Sequence, residues 1–167
     1  MSWFKSLCAL VVALLLAACG FQLRGAAELP FETLFVDAPP TSVFATQLRR
    51  VIGSGSRTRV TNRQAEADAT LQVLSEAREK EILSLSAGGR VREFQLRYRV
   101  TYRVFDRAQN AMSPQSEIVM RRDFSFNDQD HLSKESEEAL LYRDMQTDAV
   151  QQLLRRLQAV ARSTAKS

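Results

Sequence analysis

The sequence predicts an α+β domain: an antiparallel or mixed sheet of about four strands with two helices packed on one face. Three observations carry that reading. A hydrophobic period of two runs through the middle of the chain, and a period near 3.6 marks a segment on either side of it. The segments follow the order β-α-β-β-β-β-α, with one of the β segments short and weakly marked. No internal repeat and no second domain interrupts this order.

Thr33-Leu-Phe-Val36 is β-prone and ends at Asp37 and the Pro39-Pro40 pair. Thr41 or Ser42 can then cap a helix that carries Val43, Phe44, Leu48, Val51 and Ile52 at helical spacing, with Gly53 as its expected close. Gly53-Ser-Gly-Ser56 follows this helix, whereas anion-binding loops precede one, so it reads as a turn. Arg57 to Thr61 is a candidate short strand.

From Ala67 the period changes to two. Ala67, Ala69, Leu71, Val73 and Ala77 alternate with Asp68, Thr70, Gln72, Glu76 and Arg78. Ala87-Gly-Gly-Arg90 is a hairpin turn signal, after which Phe94, Leu96, Tyr98, Val100, Tyr102 and Val104 define one face. Glu93, Gln95, Arg97, Arg99, Thr101 and Arg103 define the other, as expected of a long antiparallel strand covered on one side. Asp106 to Pro114 reads as the next turn. Ile118, Met120, Phe124 and Phe126 then alternate in a further strand, where Arg122 on the apolar side predicts a bulge or an edge position.

The last segment is helical. Leu141, Met145, Ala149, Leu153, Leu157 and Val160 form its stripe, flanked by Tyr142, Val150 and Leu154. Ser133 or Ser136 is the expected cap. Glu135, Glu137 and Glu138 lie near the start and Arg155, Arg156 and Arg162 near the end, an order that suits the helix dipole. Ser163 to Ser167 reads as a polar tail.

The N-terminus belongs to a different kind of segment. Lys5 precedes an unbroken apolar run from Leu7 to Leu16, well short of the ~20 residues a membrane-spanning helix needs. A basic start, a short apolar run and small residues before a cut describe a secretory signal. Leu16-Ala17-Ala18-Cys19 refines it, because this tetrad resembles the bacterial lipobox. There the cysteine thiol takes a lipid thioether, and small side chains before it give the peptidase access to the backbone. The competing readings are an ordinary signal with an incidental cysteine and a short N-terminal anchor.

On the lipobox reading, residues 1–18 are removed and residues 19–167 form one domain of 149 residues, enough for a single core. Cys8 leaves with the signal and Cys19 carries the lipid, so no thiol remains for a disulfide. Several acyl chains would anchor the chain firmly, at ~0.8 kcal/mol per buried CH₂. Gly20, rather than aspartate, follows the lipidated residue and favours the outer membrane by its resemblance to enterobacterial sorting signals. Loss of Lys5 leaves 22 Lys+Arg against 19 Asp+Glu, too weak an excess to suggest nucleic acid.

Catalysis finds little support in the composition. His131 is the only histidine and lies in a polar stretch before the last helix, where it reads as a loop or helix-entry residue. A Cys–His nucleophile or a multi-histidine zinc site cannot be assembled from these residues, and nothing implies a cofactor.

Three segments carry a resemblance to a known family. Cys19-Gly-Phe-Gln-Leu-Arg-Gly25 resembles the mature start of LptE, the lipopolysaccharide-assembly lipoproteins. The stretches Gly89 to Val100, on the second hairpin arm, and Arg143 to Leu157, on the final helix, look like the same family, in the same order. The resemblance implies a sheet with two helices on one side and a non-catalytic role. It further implies an outer-membrane lipoprotein that sits in the lumen of the LptD β-barrel, helps assemble it, and can bind lipopolysaccharide. The alternative is an accessory lipoprotein of another outer-membrane machine, either barrel assembly or a secretin pilot.

The candidate contact residues are basic. Arg97, Arg99 and Arg103 project at alternate positions from one strand face, Arg90 and Arg92 lie near the turn, and Arg78 and Lys80 lie on the preceding strand. Guanidinium groups grip phosphates bidentately, and lipid A carries phosphates. Three readings stand side by side: a solvated charged face, arginine–carboxylate contact with the barrel interior, and direct lipopolysaccharide contact. Cys19→Ala should leave an unprocessed, unlipidated precursor. Maturation at residue 19 with retained membrane anchoring, measured by mass spectrometry of membrane fractions, is the opposite result.

Overall fold

Five strands make one mixed sheet: β1 (Thr33–Asp37), β2 (Arg59–Thr61), β3 (Ala69–Leu85), β4 (Val91–Asp106) and β5 (Ala111–Ser125). Two α-helices accompany it, α1 (Val43–Gly55) and α2 (His131–Thr164). The structure is a computed structural model that describes Trp3, residues 29–126 and residues 131–164. Cys19 and the signal reading therefore lie outside the described residues, Trp3 excepted.

The spatial order is β2-β1-β3-β4-β5. β1 pairs in parallel with both β2 and β3, while β3, β4 and β5 form an antiparallel meander. The sheet thus has five strands where about four were expected, because Arg59–Thr61 pairs through only three residues yet closes the parallel edge. The three meander strands are 17, 16 and 15 residues long, which makes a blade of about 50 Å at the usual strand rise. α2, with 34 residues, is long enough to run its length.

Local chemistry accounts for the element ends. Ser42 caps α1, its hydroxyl accepting from Ala45 N at 3.0 Å. The helix runs two residues past Gly53 and ends where Ser56 N donates to Ile52 O at 3.1 Å. α2 begins at His131, ahead of the expected Ser133 or Ser136 cap, and continues to Thr164, past Arg162. The hairpin closes through Gly89 N to Ser86 O at 2.9 Å, with Gly89 at φ 75°, a conformation that favours glycine. Pro114 lies inside β5 rather than in the preceding turn. It sits where the β4–β5 register slips between Tyr102 and Val104, on an edge strand, where a missing N–H is tolerated. At the start of the sheet Asp68 accepts from the Thr33 hydroxyl at 2.8 Å and the Thr33 amide at 2.9 Å. That hydroxyl bond, above all, holds the Asp68 carboxyl below its usual range.

Both helices pack on the same sheet face. Phe44, Leu48 and Ile52 of α1 and Met145, Leu153 and Leu157 of α2 share one cluster with Leu96, Tyr98, Val100 and Val104 of β4. Each such side chain contributes about 1.5–3 kcal/mol on burial. Leu153 is fully buried, so Leu153→Ala should cost about 2–5 kcal/mol. Arg103, exposed on the opposite face, should cost less than about 0.5 kcal/mol as alanine. Urea denaturation giving the reverse order would place β4 one residue out of register.

Candidate functional site

The geometry of the site begins at Leu74. Val73 pairs with Tyr102 and Ser75 with Thr101, so Leu74 is an extra residue in β3 and lies half-exposed. One extra residue exchanges the two faces of the strand beyond it. Ala69, Leu71 and Val73 point at the helices before the bulge, and Glu76, Arg78, Lys80 and Ile82 do so after it. Ala77, expected on the apolar face, instead pairs with Arg99 on the open face.

Polar groups therefore enter the helix side, and each finds a partner. Glu76 accepts from Tyr98 Oη and Ser42 Oγ, both at 2.7 Å. Burial, and then the hydrogen bond to Glu76, push the Tyr98 hydroxyl far above its ordinary pKa. The Arg78 guanidinium lies 5.9 Å from the Tyr98 ring centre and 5.4 Å from that of Tyr142, and donates to Gln146 Oε1 at 3.2 Å. Tyr142 Oη donates to Glu79 O at 2.7 Å. Burial, with Glu138 nearby, raises the Tyr142 pKa as well.

Further along, Lys80 Nζ sits 4.2 Å from the Phe94 ring centre, with Phe124 at 5.7 Å and Phe126 at 5.9 Å. Lys134, from the first turn of α2, approaches Phe124 at 5.3 Å. These residues open on a cleft of about 690 Å³ between the far half of the sheet and the start of α2, lined by Arg78, Lys80, Phe94, Phe126, Lys134 and Tyr142. Lys80 pairs with Glu138 at 2.6 Å and Lys134 with Glu137 at 2.8 Å. Both lysine side chains are largely buried against the rings, and each keeps one carboxylate partner at the edge of the cleft.

The seven basic residues expected to act together are divided between three places. Arg78 and Lys80 belong to the cleft. Arg97, Arg99 and Arg103 lie on the open face of the sheet, where they are already engaged. Arg97 pairs with Glu79 and Glu81, both at 3.1 Å, and Arg99 with Glu117 at 3.1 Å and Glu79 at 3.6 Å. Arg103 donates to Gln115 Oε1 at 2.9 Å. Cross-strand pairs of this kind hold a sheet face in register but leave little free positive charge on it. Arg90 and Arg92 stand exposed at the hairpin, and neither guanidinium meets a carboxylate among the described residues.

Arg122 is on the helix side, as its sequence position implied, and its strand is an edge. The ladder is regular there rather than bulged, and Asp148 of α2 satisfies the guanidinium at 2.7 Å. The side chain of His131 is outside the described residues. Lys134 escaped the sequence reading altogether, since one lysine at a helix start carries no spacing signal.

The polar network offers a check on this geometry. Tyr98→Phe removes a donor to a carboxylate and should cost about 1.5–3 kcal/mol in urea denaturation. Tyr142→Phe removes a donor to a neutral carbonyl and should cost less, about 0.5–1.5 kcal/mol. Equal effects would mean that Glu76 is not held by Tyr98.

Comparison with known proteins places this geometry in a family. The family model LptE, described as lipopolysaccharide-assembly, matches residues 31–157. The LPS-assembly lipoprotein LptE of Yersinia pestis (strain Pestoides F) is 28% identical over 160 residues, covering 94% of this chain and 76% of the relative. A solution structure of lipoprotein B from Nitrosomonas europaea is 44% identical and superposes with a TM-score of 0.75, covering 84% of this chain and 91% of that one. The crystal structure of rare lipoprotein B from Shewanella oneidensis, 20% identical with a TM-score of 0.69, has the same fold. The chain belongs to the LptE family of lipopolysaccharide-assembly lipoproteins, a non-enzymatic family.

Proposed function

We propose that this chain is anchored to the outer membrane through lipid on Cys19, seats in the lumen of the LptD β-barrel, and binds lipopolysaccharide through the cleft of Arg78, Lys80 and Lys134. Family membership supports a part in lipopolysaccharide assembly. The observation that carries the finer reading is the cleft itself, where three cations stand over aromatic rings and only Lys80 and Lys134 have a carboxylate partner among the described residues. A phosphorylated glycolipid has the matching character, with anionic groups for the cations and apolar surface for the rings.

Within this reading the other basic residues take a different part. Arg97, Arg99 and Arg103 already have partners on a long sheet face that neither helix covers, so that face is assigned to the barrel wall and its water. Arg90 and Arg92 stay available at the hairpin for either partner. The second reading, an accessory subunit of barrel assembly or a secretin pilot, has no observation in its favour.

Detergent extraction of outer membranes and capture of the tagged full-length chain should yield LptD. Capture of a barrel-assembly or secretin protein in its place would overturn the proposal. Lys80→Glu with Lys134→Glu should leave that capture intact and weaken lipopolysaccharide binding at least about tenfold. The difference should narrow at high ionic strength, as charge-assisted contacts are screened, and should be smaller for dephosphorylated lipid A. Unchanged lipopolysaccharide affinity would remove the cleft from the account.

A further inference from the structure

The end of the β3–β4 hairpin is aliphatic and bare. Ile82, Leu83 and Leu85 are 59%, 49% and 56% exposed, an unusual concentration of large apolar side chains at the tip of a charged blade. Their placement follows from the register. Ile82 pairs with Phe94, which lines the cleft, and so faces the same side. Leu83 is a second extra residue, because pairing passes from Ile82 directly to Ser84. Ser84 bonds Glu93 on the open face, and Leu85 therefore returns to the cleft side opposite Val91.

Lys134 of α2 meets Ser125 Oγ at 3.4 Å, and Ser125 is level with Glu93 and Ser84 across the sheet. Leu85 and Val91 lie further towards the hairpin than that rung, and Leu85 is 56% exposed. From Lys80 to Leu85 the strand climbs about 17 Å, a span comparable with a medium-length acyl chain.

We infer that the aliphatic hairpin tip, Ile82 and Leu85 with Leu83 at the bulge between them, is a subsite for the acyl chains of the anionic glycolipid whose phosphates occupy the cleft. This rests on the cleft reading above and extends it. The arrangement is continuous: cations at Arg78, Lys80 and Lys134, then the Phe94 and Phe126 rings, then bare aliphatic side chains along one strand. Arg90 and Arg92 flank the apolar end, exposed and without an ion pair among the described residues, which suits an anionic amphiphile. A neutral apolar partner would leave those two charges without a counterpart.

The test uses the full-length chain in detergent and two probes: intact diphosphoryl lipid A, and the same diphosphoryl disaccharide stripped of its acyl chains. Wild-type protein should hold the intact form at least about tenfold tighter. Ile82→Ser with Leu85→Ser should reduce that preference to within about twofold, while the thermal melt stays that of the wild type. Equal wild-type affinity for the two forms would overturn the inference whatever the variant does. Retention of the full preference by the variant would overturn it too, and would leave the cleft reading standing. Failure of the wild type to bind either form would overturn the cleft reading, and the acyl subsite with it.

Discussion

The side-chain alternation of β3 changes phase at Leu74, and most of what distinguishes the two sheet faces depends on that one insertion. Without it, Ala77 and Glu79 would face the helices, while Glu76, Arg78 and Lys80 would join the arginines of β4 on the open side. With it, a carboxylate and two cations enter the side that should be apolar. They persist there because Tyr98, Ser42, Gln146, Glu138 and the Phe94 ring lie in reach. Burying a charge without such partners would cost several kcal/mol. The same shift brings Glu79 and Glu81 onto the open face, where they neutralise Arg97 and Arg99.

The consequence is a molecule with two different charged surfaces. On the open face, charge is paired across strands, which leaves little free positive charge there. On the helix side, charge sits at the mouth of a cleft over aromatic rings, with Arg78 bonded to Gln146 and the two lysines to Glu138 and Glu137. An anionic ligand has something to gain at the second and little at the first.

The two periods of hydrophobicity were enough to place every major element, because burial on one face imposes them. The β4 stripe from Leu96 to Val104 and the α2 stripe from Leu141 to Leu157 pack as their spacing requires. The register of β3 was not legible. A bulge changes phase without a breaker residue, and the only trace of it is that Val73 and Leu74 are adjacent and both apolar. The grouping of Arg78 and Lys80 with the β4 arginines rested on that unbroken register. Lys134 was invisible for another reason: it meets Lys80 across 54 residues of chain, and no local pattern encodes such a meeting. The resemblance of the stretch from Cys19 to Gly25 to the family's N-terminal segment is local and needs no fold to be read.

The phase change at Leu74 is open to direct measurement by proton NMR of the folded chain. Nuclear Overhauser contacts from the Lys80 side chain should reach the Phe94 and Phe124 rings, and those from Arg78 should reach Tyr142. Contacts from Lys80 to Arg97 or Gln95, with none to the aromatic rings, would mean an unbulged β3 and no cationic cleft.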